Sequence, residues 1–293
     1  MAWLLPGRLR LIGAFEQHPV NNLNHRASGL EAFYAGWSDK DRAAIEFDVA
    51  AAQRKAEAIL SGLPAAALEG IGSVVEIGCG YGRFLSVLKE RMGLSSAHGF
   101  DFSAIAVDYA QAHFAGTCIA FHRAASLDPA STAAQVREVS GSKIDCIALI
   151  DVLEHIPDAA AFVQALAAVC PLFLIKLPVE SSLFDNYCTP KEYPGRRHSN
   201  GHVREFDANN VHYFVRELGL TPLAERLYTY AMTDSVPPPP AGTSVKGRVF
   251  RAGVLVFKSA MRLLLPRKWF LRLIGGGGYY CVARFDAQFV LRP

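Results

Sequence analysis

A chain of 293 residues, 51% of them hydrophobic, can bury a full core and suits one elaborated domain rather than two complete ones. A formal net charge of +3 is too mild to imply a nucleic-acid partner. The six cysteines show no C-x-x-C pair and no metal spacing; Cys79, Cys118, Cys146 and Cys170 fall in or beside core elements and read as reduced, buried thiols of a cytoplasmic protein.

In chain order, residues 1–38 form an irregular N-terminal arm. Its opening, MAWLLPGRLRLIGAF, lacks a basic leader, and Pro6-Gly7-Arg8 interrupts the apolar run, so no signal peptide is read. No stretch is long and uncharged enough to span a bilayer. Tyr34 and Trp37 suit either closure over a ligand or core packing. A core follows over 39–232, opening with helical periodicity at 39–60. Strands are predicted near 73–77, 96–100, 118–122, 145–150, 171–177, 221–232 and 279–285, with helical stretches between the first five. Such alternation predicts a doubly wound, mostly parallel sheet of Rossmann-like class.

Residues 74–85, VVEIGCGYGRFL, carry the strongest signal. An apolar strand ends in Glu76, glycines follow at 78, 80 and 82, and a helical pattern begins at Arg83. Glycines let a ligand lie against bare backbone, and the helix start offers unpaired N–H groups. The dinucleotide fingerprint G-x-G-x-x-G would need its third glycine where Arg83 stands. One strand later, Asp101 ends an apolar run and is followed by Phe102. Asp101 either accepts from ribose hydroxyls or caps the helix behind it. Further on, CIALI leads directly into DVLEHIPD, residues 151–158.

The run E-x-G-x-G-x-G resembles motif I of class I S-adenosylmethionine (SAM) methyltransferases, and D-V-L-E-H-I resembles the segment after strand four in small-molecule members of the ubiquinone-biosynthesis type. The resemblance covers roughly residues 40–232 and 279–286, and it implies a seven-stranded sheet with the last strand antiparallel. It implies a SAM site with Glu76, Gly78, Cys79, Gly80, Gly82 and Asp151 toward the methionine end, Asp101 on the ribose and Phe102 against adenine. Relatives often place an acid after strand three; Ala124-Ala125-Ser126-Leu127 stand there instead, leaving Ala125 backbone or a shifted Asp128 to read the ring. Glu154 and His155 are expected at the rim of the acceptor pocket. The loop before strand six adds Tyr187, Tyr193, His198, His202 and Arg204, with His155 or His202 as general base. Spaced four apart, His198 and His202 would bind metal only on a helix, which Pro194, Gly195 and Gly201 disfavour, so no metal is expected. Asp207 and Gly219 are the expected caps of the next helix.

Residues 233–278 depart from the family. Pro237–Pro240 give a stiff segment, and residues 244–274 carry Lys246, Arg248, Arg251, Lys258, Arg262, Arg267, Lys268 and Arg272 with no acid. This suits either a cap helix with its basic side in water or a helix at an anionic membrane surface. Residues 279–293 supply the last strand and a tail. The expected function is SAM-dependent O-methylation of a small-molecule or lipid-linked acceptor, a quinone, phenol or sugar hydroxyl. Alternatives are C- or N-methylation, or a non-catalytic membrane-docked scaffold on the same fold.

Overall fold

The computed structural model describes residues 42–140, 144–184, 202–229 and 244–289. The N-terminal arm with Tyr34 and Trp37, the loop carrying Tyr187, Tyr193 and His198, and the Pro237–Pro240 segment lie outside the described residues. Helix α1 (Arg42–Gly62) and a single turn, α2 (Ala65–Leu68), precede β1 (Ser73–Ile77). There follow α3 (Arg83–Met92), β2 (Ser96–Asp101), α4 (Ala104–His113), β3 (Ile119–Arg123), α5 (Pro129–Ser140), β4 (Cys146–Ile150), α6 (Ala159–Ala167) and β5 (Leu172–Val179). The chain continues through α7 (Val211–Glu217), β6 (Leu220–Thr229), α8 (Val245–Leu264), α9 (Arg267–Leu273) and β7 (Gly277–Phe285).

All seven strands join one sheet in the order β3-β2-β1-β4-β5-β7-β6. Strands β1 to β5 pair in parallel, and β7 runs antiparallel between β5 and β6. Alternate residues point to opposite faces, as the pleat requires. Val75, Ile77, Ile147, Leu149, Phe173 and Ile175 meet α6, α7 and α9 on one face. Val74, Cys146, Ala148, Ile150 and Leu174 meet α1 and α3 on the other. Each large side chain fully buried this way contributes about 1.5–3 kcal/mol. Strands covered on both faces read as unbroken apolar runs, which is why their positions are evident from sequence.

The chain leaves β1 for β2 and β3, then returns to β4 on the other side of β1. This reversal opens a crevice at the carboxyl ends of β1 and β4, where ligands of such sheets bind.

Several local expectations change. Cys118 is exposed at φ 56° ahead of β3, while Cys79, Cys146, Cys170 and Cys281 are buried. Asp207 does not cap α7: its Oδ1 accepts from the N–H groups of Asn209 and Asn210, closing the turn before the helix. Gly219, at φ 76°, follows the C-cap Leu218 in the left-handed conformation that ends helices. Of the four glycines 275–278, read from sequence as freeing the chain to enter the last strand, Gly277 and Gly278 already belong to β7, so that freedom rests with Gly275 and Gly276, at φ 77° and 81°.

Candidate functional site

The glycine turn closes on the end of β2. Gly78 and Cys79 both donate to the carbonyl of Phe100, at 2.7 and 3.0 Å. The three glycines have left-handed backbone, φ 76°, 51° and 79°, but for different reasons. A Cβ on Gly78 would come within 2.7 Å of Val152, and one on Gly82 within 2.6 Å of Phe121. A Cβ on Gly80 would meet nothing within 4 Å. Thus Gly78 and Gly82 are small so that the turn can pack, whereas Gly80 faces open space at the crevice.

Asp101 ties the turn to β2. Its Oδ2 accepts from Gly80 N–H at 2.7 Å and its Oδ1 from Ser103 N–H at 2.9 Å. Helix α4 is capped by Ser103, whose hydroxyl accepts from Ala106 N–H at 3.3 Å, so Asp101 is not the cap. Burial pushes the Asp101 carboxyl up against the pull of these N–H groups. Glu76 lies deeper: it is buried, and its Oε2 has no hydrogen-bond partner among the described residues. Burial, then the Asp101 charge, push its carboxyl well up. Phe102 is half-buried against the core. Ala125 is exposed and gives its N–H to Gln135 Oε1 at 3.1 Å. Asp128 caps α5 through Ser131 N–H at 2.8 Å, so no register shift brings it to the ring-reading position.

On the other wall of the crevice, Asp151 leaves β4 with φ 55°, unusual for a residue with a side chain. Its carboxylate is gripped by two lysines: Oδ1 by Lys176 of β5, and Oδ2 by Lys55 of α1 at 2.7 Å. Burial alone would raise the Asp151 carboxyl, but the two ammonium groups override it and hold it well below the usual carboxylate range. Neither lysine is among the residues singled out from sequence. Lys176 gave a legible signal, a single charge inside LFLIKLPV, because a lysine in a covered strand needs a partner.

The segment after Asp151 is held by Arg204. Its Nη1 donates to the carbonyls of Leu153 and Ile156, its Nη2 to that of Pro157 at 2.9 Å, and its guanidinium lies 5.1 Å from the Phe214 ring centroid. Expected beside the acceptor, Arg204 turns inward, because three backbone carbonyls in the irregular turn need donors. Glu154 is also corrected: it is 0% exposed rather than at a rim, and neither carboxylate oxygen has a hydrogen-bond partner among the described residues. Burial, then the Asp151 charge, push its carboxyl well up. His155 and His202 lie together, with ring centroids 4.7 Å apart and planes at 78°. Glu180 Oε2 lies 2.9 Å from His202 Nδ1. Tyr187, Tyr193 and His198 cannot be placed, being outside the described residues.

The comparisons bear on the family and the fold. A sequence family described as "Methyltransferase domain" matches residues 49–225, more than half of the chain. The methyltransferase solved in complex with the Haloferax volcanii Trm112 methyltransferase activator has TM-score 0.50 and 16% identity, covering 87% of this chain and 96% of that one. Magnesium protoporphyrin IX methyltransferase (ChlM) from Synechocystis PCC 6803, solved with bound S-adenosylhomocysteine (SAH), has TM-score 0.47 and 14% identity, covering 89% and 96%. At these identities the likeness is one of fold. No curated protein sequence matches the chain.

Proposed function

We propose, because the chain belongs to the class I SAM-dependent methyltransferases, that it methylates an oxygen of a small-molecule or lipid-linked acceptor, a quinone, phenol or sugar hydroxyl. SAM is the methyl donor of the family. The residues present suit it: Gly80 leaves open space at the turn, the Asp101 carboxylate beside it at the end of β2 could accept from ribose hydroxyls, and Glu76 has a buried oxygen lacking a partner among the described residues. Gly78, Cys79 and Gly82 shape the same turn, and Asp151 forms the opposite wall. Adenine contacts are thin, since the Ala125 N–H is already used and Phe102 supplies the remaining surface.

Bound SAM supplies a methyl group on a sulfonium, so little covalent chemistry falls to the protein. The chain must orient the acceptor and take its proton. The observation carrying the O-methylation reading is the His155–His202 pair, 4.7 Å between ring centroids, on the two segments that border Asp151 and β5. An imidazole nitrogen with a free lone pair can accept a hydroxyl proton. With labelled SAM and a panel of phenols, quinols and sugars, His155→Ala or His202→Ala should lower turnover by more than about tenfold with SAM affinity intact. Losses below that in both variants would remove the histidines from the proton step.

The same reading places the acceptor side at an anionic lipid surface, through α8. Among the described residues no helix is long and apolar enough to cross a membrane, so contact would be interfacial. Helix α8 is apolar on two sides. Met261 and Leu265 pack on the core, and Lys258 sits 5.1 Å over the Phe184 ring rather than outward. Facing away, Val245, Val249, Val256 and Leu263 are 66–89% exposed, at helical spacings of four and seven residues. Exposed Lys246, Arg248 and Arg262 flank this stripe, and the helix has no acid. An outward apolar stripe bordered by cations supports interfacial binding over a simple cap. The chain should co-sediment with anionic vesicles at low salt, and Val249→Glu with Leu263→Glu should abolish it. No sedimentation, or sedimentation unchanged in the double variant, would refute membrane docking.

A further inference from the structure

The geometry points to a divalent metal site formed by Glu154, His155 and His202, on the acceptor side of the crevice. Their ligand atoms lie within 4.8 Å of one another, and no other such trio of His, Cys, Asp or Glu converges among the described residues. The sequence offered only His198 and His202 as a pair. The structure instead brings His202 to Glu154 and His155, which precede it by most of a domain half.

Three observations carry the site. First, Glu154 is wholly buried, and neither carboxylate oxygen has a hydrogen-bond partner among the described residues. Leaving such a group uncompensated is costly, and a cation beside it would supply what the protein does not. Second, the two ligand-bearing segments are stapled together. Val203 N–H donates to the Glu154 carbonyl at 2.9 Å, and Arg204, two residues past His202, holds the carbonyls of Leu153, Ile156 and Pro157. The site is therefore braced by backbone rather than assembled by loose side chains. Third, Glu180 Oε2 stands 2.9 Å from His202 Nδ1. A ligating histidine commonly has a carboxylate beside it, the relation Glu180 bears to His202.

Ligand type selects the ion. Two imidazoles and one carboxylate suit zinc-like first-row ions, whereas calcium and magnesium prefer oxygen alone. Ligand atoms about 2.1 Å from a tetrahedral ion lie about 3.4 Å from each other, so modest side-chain rotation closes the present spread. Three protein ligands leave open positions. Use of those positions rests on the methyl-transfer reading: they would hold the acceptor oxygen, and best a pair of adjacent oxygens as in a catechol or vicinal diol, and with both imidazoles on the ion it is the ion, in place of a free imidazole base, that would ease loss of the hydroxyl proton.

The test is metal binding itself. Chelator-treated, full-length protein is titrated with Zn²⁺ by calorimetry, and with Co²⁺ followed by visible absorption, alongside Glu154→Gln and His202→Gln; SAH binding and thermal melting are recorded for each. One equivalent should bind to the wild type, the Co²⁺ spectrum should lack a thiolate charge-transfer band, and each variant should weaken binding by about 100-fold or more while still binding SAH. No binding, a thiolate band from Cys118, or unchanged affinity in both variants, as ligation at His98 of β2 and His122 of β3, whose ring nitrogens lie 3.3 Å apart, would give, overturns the site. Should a variant fail to fold, the wild-type stoichiometry and spectrum still decide. A chain that binds SAH but no ion loses the metal site alone; one that binds an ion but no SAH loses the donor reading.

Discussion

Lys176→Met should lower the stability of this protein by about 3–5 kcal/mol, the usual cost of removing one partner from a buried ion pair. Lys176 is 5% exposed within β5, between Ile150 of β4 and Tyr280 of β7. Its ammonium meets the Asp151 carboxylate, whose second oxygen is held by Lys55 at 2.7 Å. Methionine keeps most of the stem volume, so the change reports the lost charge more than a cavity. Lys55, with a side chain 29% exposed, is a weaker partner shared with solvent. At about 2–4 °C per kcal/mol for a chain of this size, the melting temperature should fall by roughly 6–20 °C in calorimetry. Adding Asp151→Asn should recover part of the loss, because the uncompensated charge is then removed. The pH dependence follows from the lowered Asp151 carboxyl: its contribution is present above the unfolded value of about 3.9 and is lost as pH falls toward the folded value. Wild type should therefore lose more stability than Lys176→Met on acidification below about pH 5. A melting temperature within 2 °C of wild type would refute the buried pair, at roughly 1 kcal/mol of effect.

The second large effect separates two glycines of one turn. Gly82→Ala should cost about 2–5 kcal/mol, combining left-handed strain with overpacking against Phe121 and Ala110, which a Cβ would approach to 2.6 and 3.0 Å. Gly80→Ala should cost only about 1–2 kcal/mol, from strain alone, since nothing lies within 4 Å. Its effect should fall on cofactor affinity, at least about tenfold by SAH titration, because the methyl enters the space the donor needs. Equal loss of stability at both positions, or wild-type affinity in Gly80→Ala, would contradict this division.

Much of the fold was legible because β1, β4 and β5 are covered on both faces and read as apolar runs, and because the alternation with helices leaves few topologies. The glycine turn was legible for a different reason: its residue types are fixed by backbone angles. What sequence did not reveal depends on chain segments meeting in space. Nothing local links Lys55 and Lys176 to Asp151, and nothing marks Arg204 as the donor for carbonyls of residues 153–157. Glu154 was expected at a rim from the resemblance of D-V-L-E-H-I to its family segment, and its burial depends on the segment around Val203 and Arg204 folding over it. Helix α8 read as having one apolar face, since hydrophobic periodicity does not show which of two apolar sides the core covers.

Calorimetric titration of SAH into wild type and Asp101→Ala decides whether the glycine turn holds the donor, with melting curves recorded to show that the variant remains folded. Wild type should bind, and Asp101→Ala should bind about 1–3 kcal/mol more weakly, roughly 5- to 150-fold, as expected when buried hydrogen-bond partners lose their acceptor. Absence of SAH binding to wild type, or equal affinity in a folded Asp101→Ala, would contradict placement of the donor between Gly80, Asp101 and Asp151.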